Sequence, residues 1–189
     1  MIKIITKKQV QSNKKIILSN FKKIERQGIE NLISWLEKSD FFYAPASTMF
    51  HGNYQGGLAA HSYKVYEEFK RQAEHYSLEI PEQSMFLTGI LHDCCKIDYY
   101  IPNKLKSGNL SKSKPYKTDD LFPIGHGEKS VIIAQRYIPL TEQESAIIRW
   151  HMGTSDPAWD DYKEKVEKKF PEVILFHHVD KEVSLLYNL

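Results

Sequence analysis

Cysteine is scarce: the 189 residues hold two, Cys94 and Cys95, and they are adjacent. Neighbouring side chains on a helix point in different directions, which argues against a structural disulfide between them and suits a reducing compartment. No stretch approaches the roughly 20 consecutive apolar residues of a membrane-spanning helix. Lysines interrupt the first residues, Met1 to Lys8, before an apolar leader develops, so a soluble, cytoplasmic protein with no membrane partner is expected. Internal repeats and low-complexity tracts are also lacking, which excludes a solenoid. Neither sign of charge dominates, with 26 Lys and Arg against 24 Asp and Glu. Only residues 1–28 are biased, with eight basic residues against the single acid Glu25. That segment reads as a solvated lysine-rich helix, or as an arm for nucleic acid or another acidic partner.

What is present is a chain long enough for one domain with a real hydrophobic core. Apolar residues recur at helical spacing almost throughout, and no long segment alternates as a half-buried strand does, so the fold reads as an all-α helical bundle. Residues 1–40 read as a basic helical segment packed on or preceding a core of residues 41–189. Val10, Ile17, Phe21 and Ile24 mark a first helix, and Ile29, Leu32, Ile33 and Leu36 a second ending before Ser39. After a loop at Tyr43–Ser47, Gly56-Gly57 precedes a helix over Leu58–Tyr76. Further helices are predicted over Ser84–Ile97, Glu128–Ile138, Glu142–Met152 and Pro171–Tyr187, the third with a capping box at Thr141 and a stop at Gly153. The segment 98–123, rich in Lys, Ser, Asn, Gly and Pro, reads as a loop or small β-hairpin. Phe41, Phe42 and Trp159 suit the core or a dimer contact equally, so the oligomeric state stays open.

Eight histidines occur, and six of them, His51, His61, His92, His126, His151 and His177, fall near predicted helix ends or on inward stripes. Any one alone reads as a core residue; the set is what points to chemistry. His75 and His178 read as surface or packing residues. The most informative run is Leu91-His92-Asp93-Cys94-Cys95-Lys96, in which helical spacing sets the Lys96 ammonium over the surface that carries His92 and Asp93. Imidazole with carboxylate suits divalent transition metals, and Asp180 on an otherwise apolar stripe is costly to bury without a cation. His61, His92-Asp93 and Asp180 fall on three predicted helices, as a metal site in a bundle core requires. Cys94 and Cys95 read as small buried apolar side chains, with zinc ligation the lesser reading.

Together, Phe50-His51, Gly56-Gly57-Leu58, His61-Ser62, His92-Asp93, Gly125-His126-Gly127-Glu128-Lys129-Ser130, Arg149-Trp150-His151-Met152-Gly153 and Asp180 resemble the HD-domain superfamily of metal-dependent phosphohydrolases. The resemblance runs from His51 to Ser184 and is nearest to small bacterial and phage hydrolases of that superfamily. It departs from the pattern at Val179, where a small residue is usual before the aspartate. The resemblance implies that His61, His92, Asp93 and Asp180 bind a first metal. In two-metal members Asp93 bridges, and His126 and His151 complete a second site. One or two divalent ions are thus implied, from among Mn, Fe, Ni, Zn, Co and Mg.

The activity implied is hydrolysis of a phosphoester or phosphoanhydride by metal-activated water, with Asp93 and Lys96 at the reacting centre. A phosphorylated small molecule, a nucleotide or cyclic nucleotide, is the expected substrate; the alternatives are an exonuclease on RNA or DNA ends and a catalytically silent metal-binding module. Lys129 and Arg149 read as phosphate contacts or as surface charges, and His51 as a residue orienting ligands or touching substrate. His177 reads as a ligand, a partner of Asp180 or a core residue. The lysines of the 98–123 segment, Lys104, Lys106, Lys112, Lys114 and Lys117, suit a basic lid or a mobile loop.

Overall fold

Helix α1 (Lys7–Phe21) opens on a capping box: the Thr6 hydroxyl accepts the Gln9 N–H, and the Gln9 side chain accepts that of Thr6. It belongs to a computed structural model that describes residues 6–189, and among these residues eight α-helices and one small hairpin carry the chain. The fold is the expected all-α bundle. Ile17 and Phe21 of α1, with Leu32, Ile33 and Leu36 of α2 (Ile29–Lys38), enter the same hydrophobic core as the later helices, while Lys7, Lys8 and Lys15 face outward. Phe41, Phe42 and Trp159 are buried in this core, so the chain itself covers them.

Helix α3 (Gly57–His75) runs through the middle and packs on α1, α4 and α8. The reason for two glycines at its start is steric. Gly56 has φ +85°, and a Cβ on Gly57 would fall 2.0 Å from the Gly52 carbonyl oxygen. The loop ahead of α3 can therefore lie against the helix start, which brings His51 beside His61, with ring centroids 5.1 Å apart.

Helix α4 (Glu82–Leu91) is shorter than the predicted Ser84–Ile97. It stops at Leu91, and Asp93 leaves helical register at φ −106°, ψ 17° before a 3-10 turn over Cys94–Lys96. Side chains take up backbone groups around the break: His92 Nδ1 donates to the Gly89 carbonyl at 2.9 Å, and the Ser130 hydroxyl accepts the Cys95 N–H at 3.2 Å. The 98–123 segment forms a hairpin, β1 (Tyr100–Pro102) antiparallel to β2 (Tyr116–Thr118), with Tyr100 opposite Thr118.

Helix α5 (His126–Gln135) starts two residues earlier than predicted and ends before Ile138. It approaches the end of α6 (Glu142–Trp150) so closely that a Cβ on Gly127 would lie 2.0 Å from the Arg149 carbonyl oxygen. The Thr141 capping box on α6 is present. Helix α7 (Trp159–Lys169) was not anticipated, because only Trp159 and Val166 of it are buried and no apolar stripe marks it. Acids in its first turn and lysines in its last favour the helix electrostatically. Helix α8 (Glu172–Glu182) passes into a π-helical turn over Val183–Tyr187 rather than running on regularly. Among the described residues, no helix is long and apolar enough to cross a membrane.

Candidate metal centre

Five separate elements deliver six side chains to one buried place. His61 comes from α3, His92 and Asp93 from the break after α4, His126 from the first turn of α5, His151 from just past the end of α6, and Asp180 from α8. His61, His92, Asp93 and His151 are at most 2% exposed, while the Asp180 side chain keeps 17% exposure and that of His126 30%. His61 Nε2 lies 3.0 Å from Asp180 Oδ1 and 3.7 Å from Asp93 Oδ2. His92 Nε2 lies 3.3 Å from His61 Nε2 and 3.4 Å from Asp93 Oδ2. The other oxygen of Asp93, Oδ1, is 2.8 Å from His126 Nε2 and 3.7 Å from His151 Nε2. Asp93 thus faces two groups of side chains, one with each oxygen.

Backbone carbonyls set the orientation of the rings. Nδ1 of His61 donates to the Leu189 carbonyl (2.9 Å), that of His92 to Gly89 (2.9 Å) and that of His151 to Ile148 (2.7 Å). A neutral imidazole whose Nδ1 carries the proton presents a bare lone pair at Nε2, and all three lone pairs converge on the carboxylates. His151 Nε2 is buried without any hydrogen-bond partner. An unpaired buried acceptor costs about 1–3 kcal/mol, and a cation among these acceptors removes that cost. His61, His92 and Asp180 form one group able to hold an ion, and His92, Asp93 and His151 another. The residues present fit a divalent metal.

The charges agree. Burial works against ionisation of Asp93, but the Lys96 ammonium and the hydrogen bond from His126 hold its carboxyl well below the usual range. Asp180 is likewise depressed, burial being outweighed by the His61 imidazole 3.0 Å from its carboxylate. Lys96 Nζ lies 2.7 Å from Asp93 Oδ2; burial opposes its charge, and the neighbouring carboxylate more than restores it. Both carboxylates and the ammonium are therefore charged at neutral pH. Burial pushes His51 down to about 4, with repulsion from His61 and Lys96 adding to it.

A cavity of about 220 Å³ adjoins the centre, lined by Cys95, Lys96, Tyr99, Tyr100, Asp120, Ile124, His126 and Lys129. Of the expected phosphate contacts, Lys96 and Lys129 reach it. Lys129 is buried and paired with Asp120, its Nζ 4.9 Å from the centre of the Tyr99 ring. Arg149 does not line this cavity: it pairs with Glu128 and Asp156 and stacks on Trp150 at 3.8 Å. His177 donates through Nδ1 to the His151 carbonyl at 2.7 Å, so the partner it orients is His151 rather than Asp180. The five hairpin lysines are all solvent-exposed; the hairpin meets the cavity through its base, at Tyr99, Tyr100 and Asp120.

Sequence reasoning missed three contributors. The Leu189 carbonyl, which fixes the His61 ring, leaves no trace in residue type. Asp120 lies in a polar stretch where acids are ordinary. Cys95 was readable only as one of two equivalent buried thiols, yet its Sγ stands 3.5 Å from both ring nitrogens of His126. Compared with known proteins, the chain matches no family model, no curated protein and no solved structure.

Proposed function

We propose that this protein is a metal-dependent phosphohydrolase of the HD-domain kind, acting on a small phosphoester such as a nucleotide. The observation that carries the reading is the convergence of three carbonyl-oriented histidines on two ionised carboxylates, buried Asp93 and part-buried Asp180, with His151 Nε2 left unpaired. His61, His92, Asp93 and Asp180 would hold one divalent ion, with His126 and His151 serving a second against Asp93. A divalent ion there supplies Lewis-acid polarisation of a phosphoryl oxygen and acidifies water.

The chain's own residues do the rest. Lys96, charged and fixed against Asp93, faces the cavity and can hold a phosphoryl oxygen as negative charge develops on it. Lys129 adds a second cation to the lining, where Asp120 holds it. Tyr99 and Tyr100 give the lining an aromatic face of the kind that stacks on a base. Gly89, Ile148 and Leu189 keep the imidazoles in the tautomer that ligation requires, and the buried setting strengthens each of these interactions by excluding water. A cavity of this size, closed on one side by the hairpin base, favours a small substrate over a polymer.

The test measures metal equivalents per chain for wild type, Asp93→Ala and His151→Ala, followed by turnover of a panel of phosphoesters by the loaded protein. Bound metal and turnover in wild type, with both lost in Asp93→Ala, are expected. Full activity in Asp93→Ala overturns the assignment. Full metal with no turnover of any phosphoester replaces the hydrolase with a silent metal-binding module. Activity confined to RNA or DNA, falling steeply with salt, replaces the small substrate with a nucleic-acid end.

A further inference from the structure

Cys94 and Cys95 differ in one respect that their sequence hides. Cys94 is fully buried, and its thiol donates to the Ser130 carbonyl at 3.2 Å. The Cys95 thiol instead meets the His126 ring, 3.5 Å from both of its nitrogens. It lines the cavity beside His126, and one ligand atom each from Asp93, Cys95 and His126 lie within 4.8 Å of one another. A second observation points to the same place: His151 Nε2, in a residue 1% exposed and without a partner, lies 3.7 Å from Asp93 Oδ1, the oxygen that also faces His126.

We infer that Asp93, Cys95 and His126 form a thiolate-bearing cation site, with His151 at its edge, which takes Zn²⁺ or another thiophilic divalent ion such as Co²⁺. This rests on the metal centre proposed above and specifies its second position. Distance permits it: a tetrahedral ion with Zn–S near 2.3 Å and Zn–N near 2.1 Å spans about 3.6 Å from sulfur to nitrogen, and Cys95 Sγ lies 3.5 Å from each ring nitrogen of His126, against the ring, so that a turn of the ring offers the ion a single nitrogen. Donor type supports it. Sites built from oxygen suit Mg²⁺, whereas sulfur beside imidazole selects the softer transition ions. The chemistry is a proton exchange without change of oxidation state: the ion takes the place of the thiol proton, which leaves to solvent, and the sulfur keeps the electron pair that it donates to the ion. The two positions then differ, one made of imidazole and carboxylate alone and the other holding sulfur.

The test is titration of metal-free protein with Co²⁺, read by absorbance and by bound cobalt. Wild type should develop a near-ultraviolet thiolate-to-cobalt charge-transfer band, and Cys94→Ala, in which Cys95 is the one remaining cysteine, should keep it. Cys95→Ser and Cys95→Ala should lose the band while retaining the wild-type circular dichroism, and zinc affinity should fall by more than about tenfold. Cobalt bound to wild type without the band overturns the thiolate site and leaves the metal centre standing. A band that survives in either Cys95 variant does the same. No bound cobalt at all overturns both.

Discussion

Of the polar residues that helix α3 buries, His61 and Glu68 stand seven positions apart, and their surroundings differ in kind. Glu68 is met by proton donors: Lys64 at 2.8 Å, Arg71 at 2.7 Å and the Tyr187 hydroxyl at 3.0 Å. Burial pushes its pKa up, and those three hydrogen bonds outweigh the push and hold it at about 2. Nothing further is needed there, and the cluster acts as an internal fastening between α3 and the end of the chain. Around His61 acceptors face acceptors, with the Nε2 atoms of His61 and His92 only 3.3 Å apart beside two carboxylates. A fold selected for stability alone has no use for that arrangement, because facing lone pairs repel when no cation stands between them. Burial of polar groups is thus not one phenomenon: a closed set of donors and acceptors fastens the fold, and a set short of cations marks a place for a ligand.

Phe176 gives the strongest test of this contrast, since its fully buried ring packs edge-on against Phe69 of α3 at 4.9 Å and against His92 at 5.4 Å. Phe176→Ala should cost about 3–5 kcal/mol in denaturant unfolding. It should also weaken metal binding, because His92 loses one wall. If metal affinity is untouched, the centre is held by its carbonyl hydrogen bonds alone.

Glu68→Gln separates the two regions. It should cost about 1–3 kcal/mol at pH 7 by leaving Lys64 and Arg71 undercompensated. Because the folded pKa lies below the ordinary 4.5, the stabilisation is complete above that value and is lost as pH falls toward about 2, so the melting temperatures of variant and wild type should converge in acid. The variant should still be stabilised by added metal to the wild-type extent, about 2.7 kcal/mol at 100 times Kd, whereas Asp93→Ala should gain nothing. A Glu68→Gln protein deaf to metal breaks the distinction.

The smallest effect is expected at Asp40, an intermediate case. Asp40 and Asp98 each accept the other's backbone N–H, at 2.7 and 3.2 Å, which leaves two carboxylates side by side. Burial, with the Asp98 charge, raises Asp40 to about 6. A raised acid favours the folded state when protonated, so this contribution falls as pH rises through 6. Asp40→Asn should raise the melting temperature slightly at pH 7, and the gain should vanish as pH approaches the ordinary carboxylate value of 3.8. A variant equally stabilised at both ends of that range refutes the assignment.

Much of the architecture was legible because apolar spacing and caps are local signals. Gly56-Gly57 marked the start of α3, and the capping box at Thr141 located the start of α6. The six side chains at the centre were legible as a set, through motifs spread along the chain. The break after Leu91 was not, because what holds it is a histidine ring on a carbonyl and a serine 35 residues away. Helix α7 escaped because it buries two residues and is otherwise a charged surface. The same limit hid the difference between Cys94 and Cys95 and left Arg149 readable as a phosphate contact or a surface charge, where the structure pairs it with Asp156 and Glu128.

By itself the sequence determined which residues could be helical, which faces are apolar and which side chains have ligand chemistry, since these follow from composition at periods of a few residues. Only the tertiary structure decided that both oxygens of one carboxylate, Asp93, are engaged, that the Leu189 carbonyl aims the His61 lone pair inward from 128 residues away, and that one of two neighbouring thiols meets a histidine. Those outcomes depend on ångström-scale approach between elements far apart in sequence, as at Gly57 and Gly127, where even a methyl group would not fit.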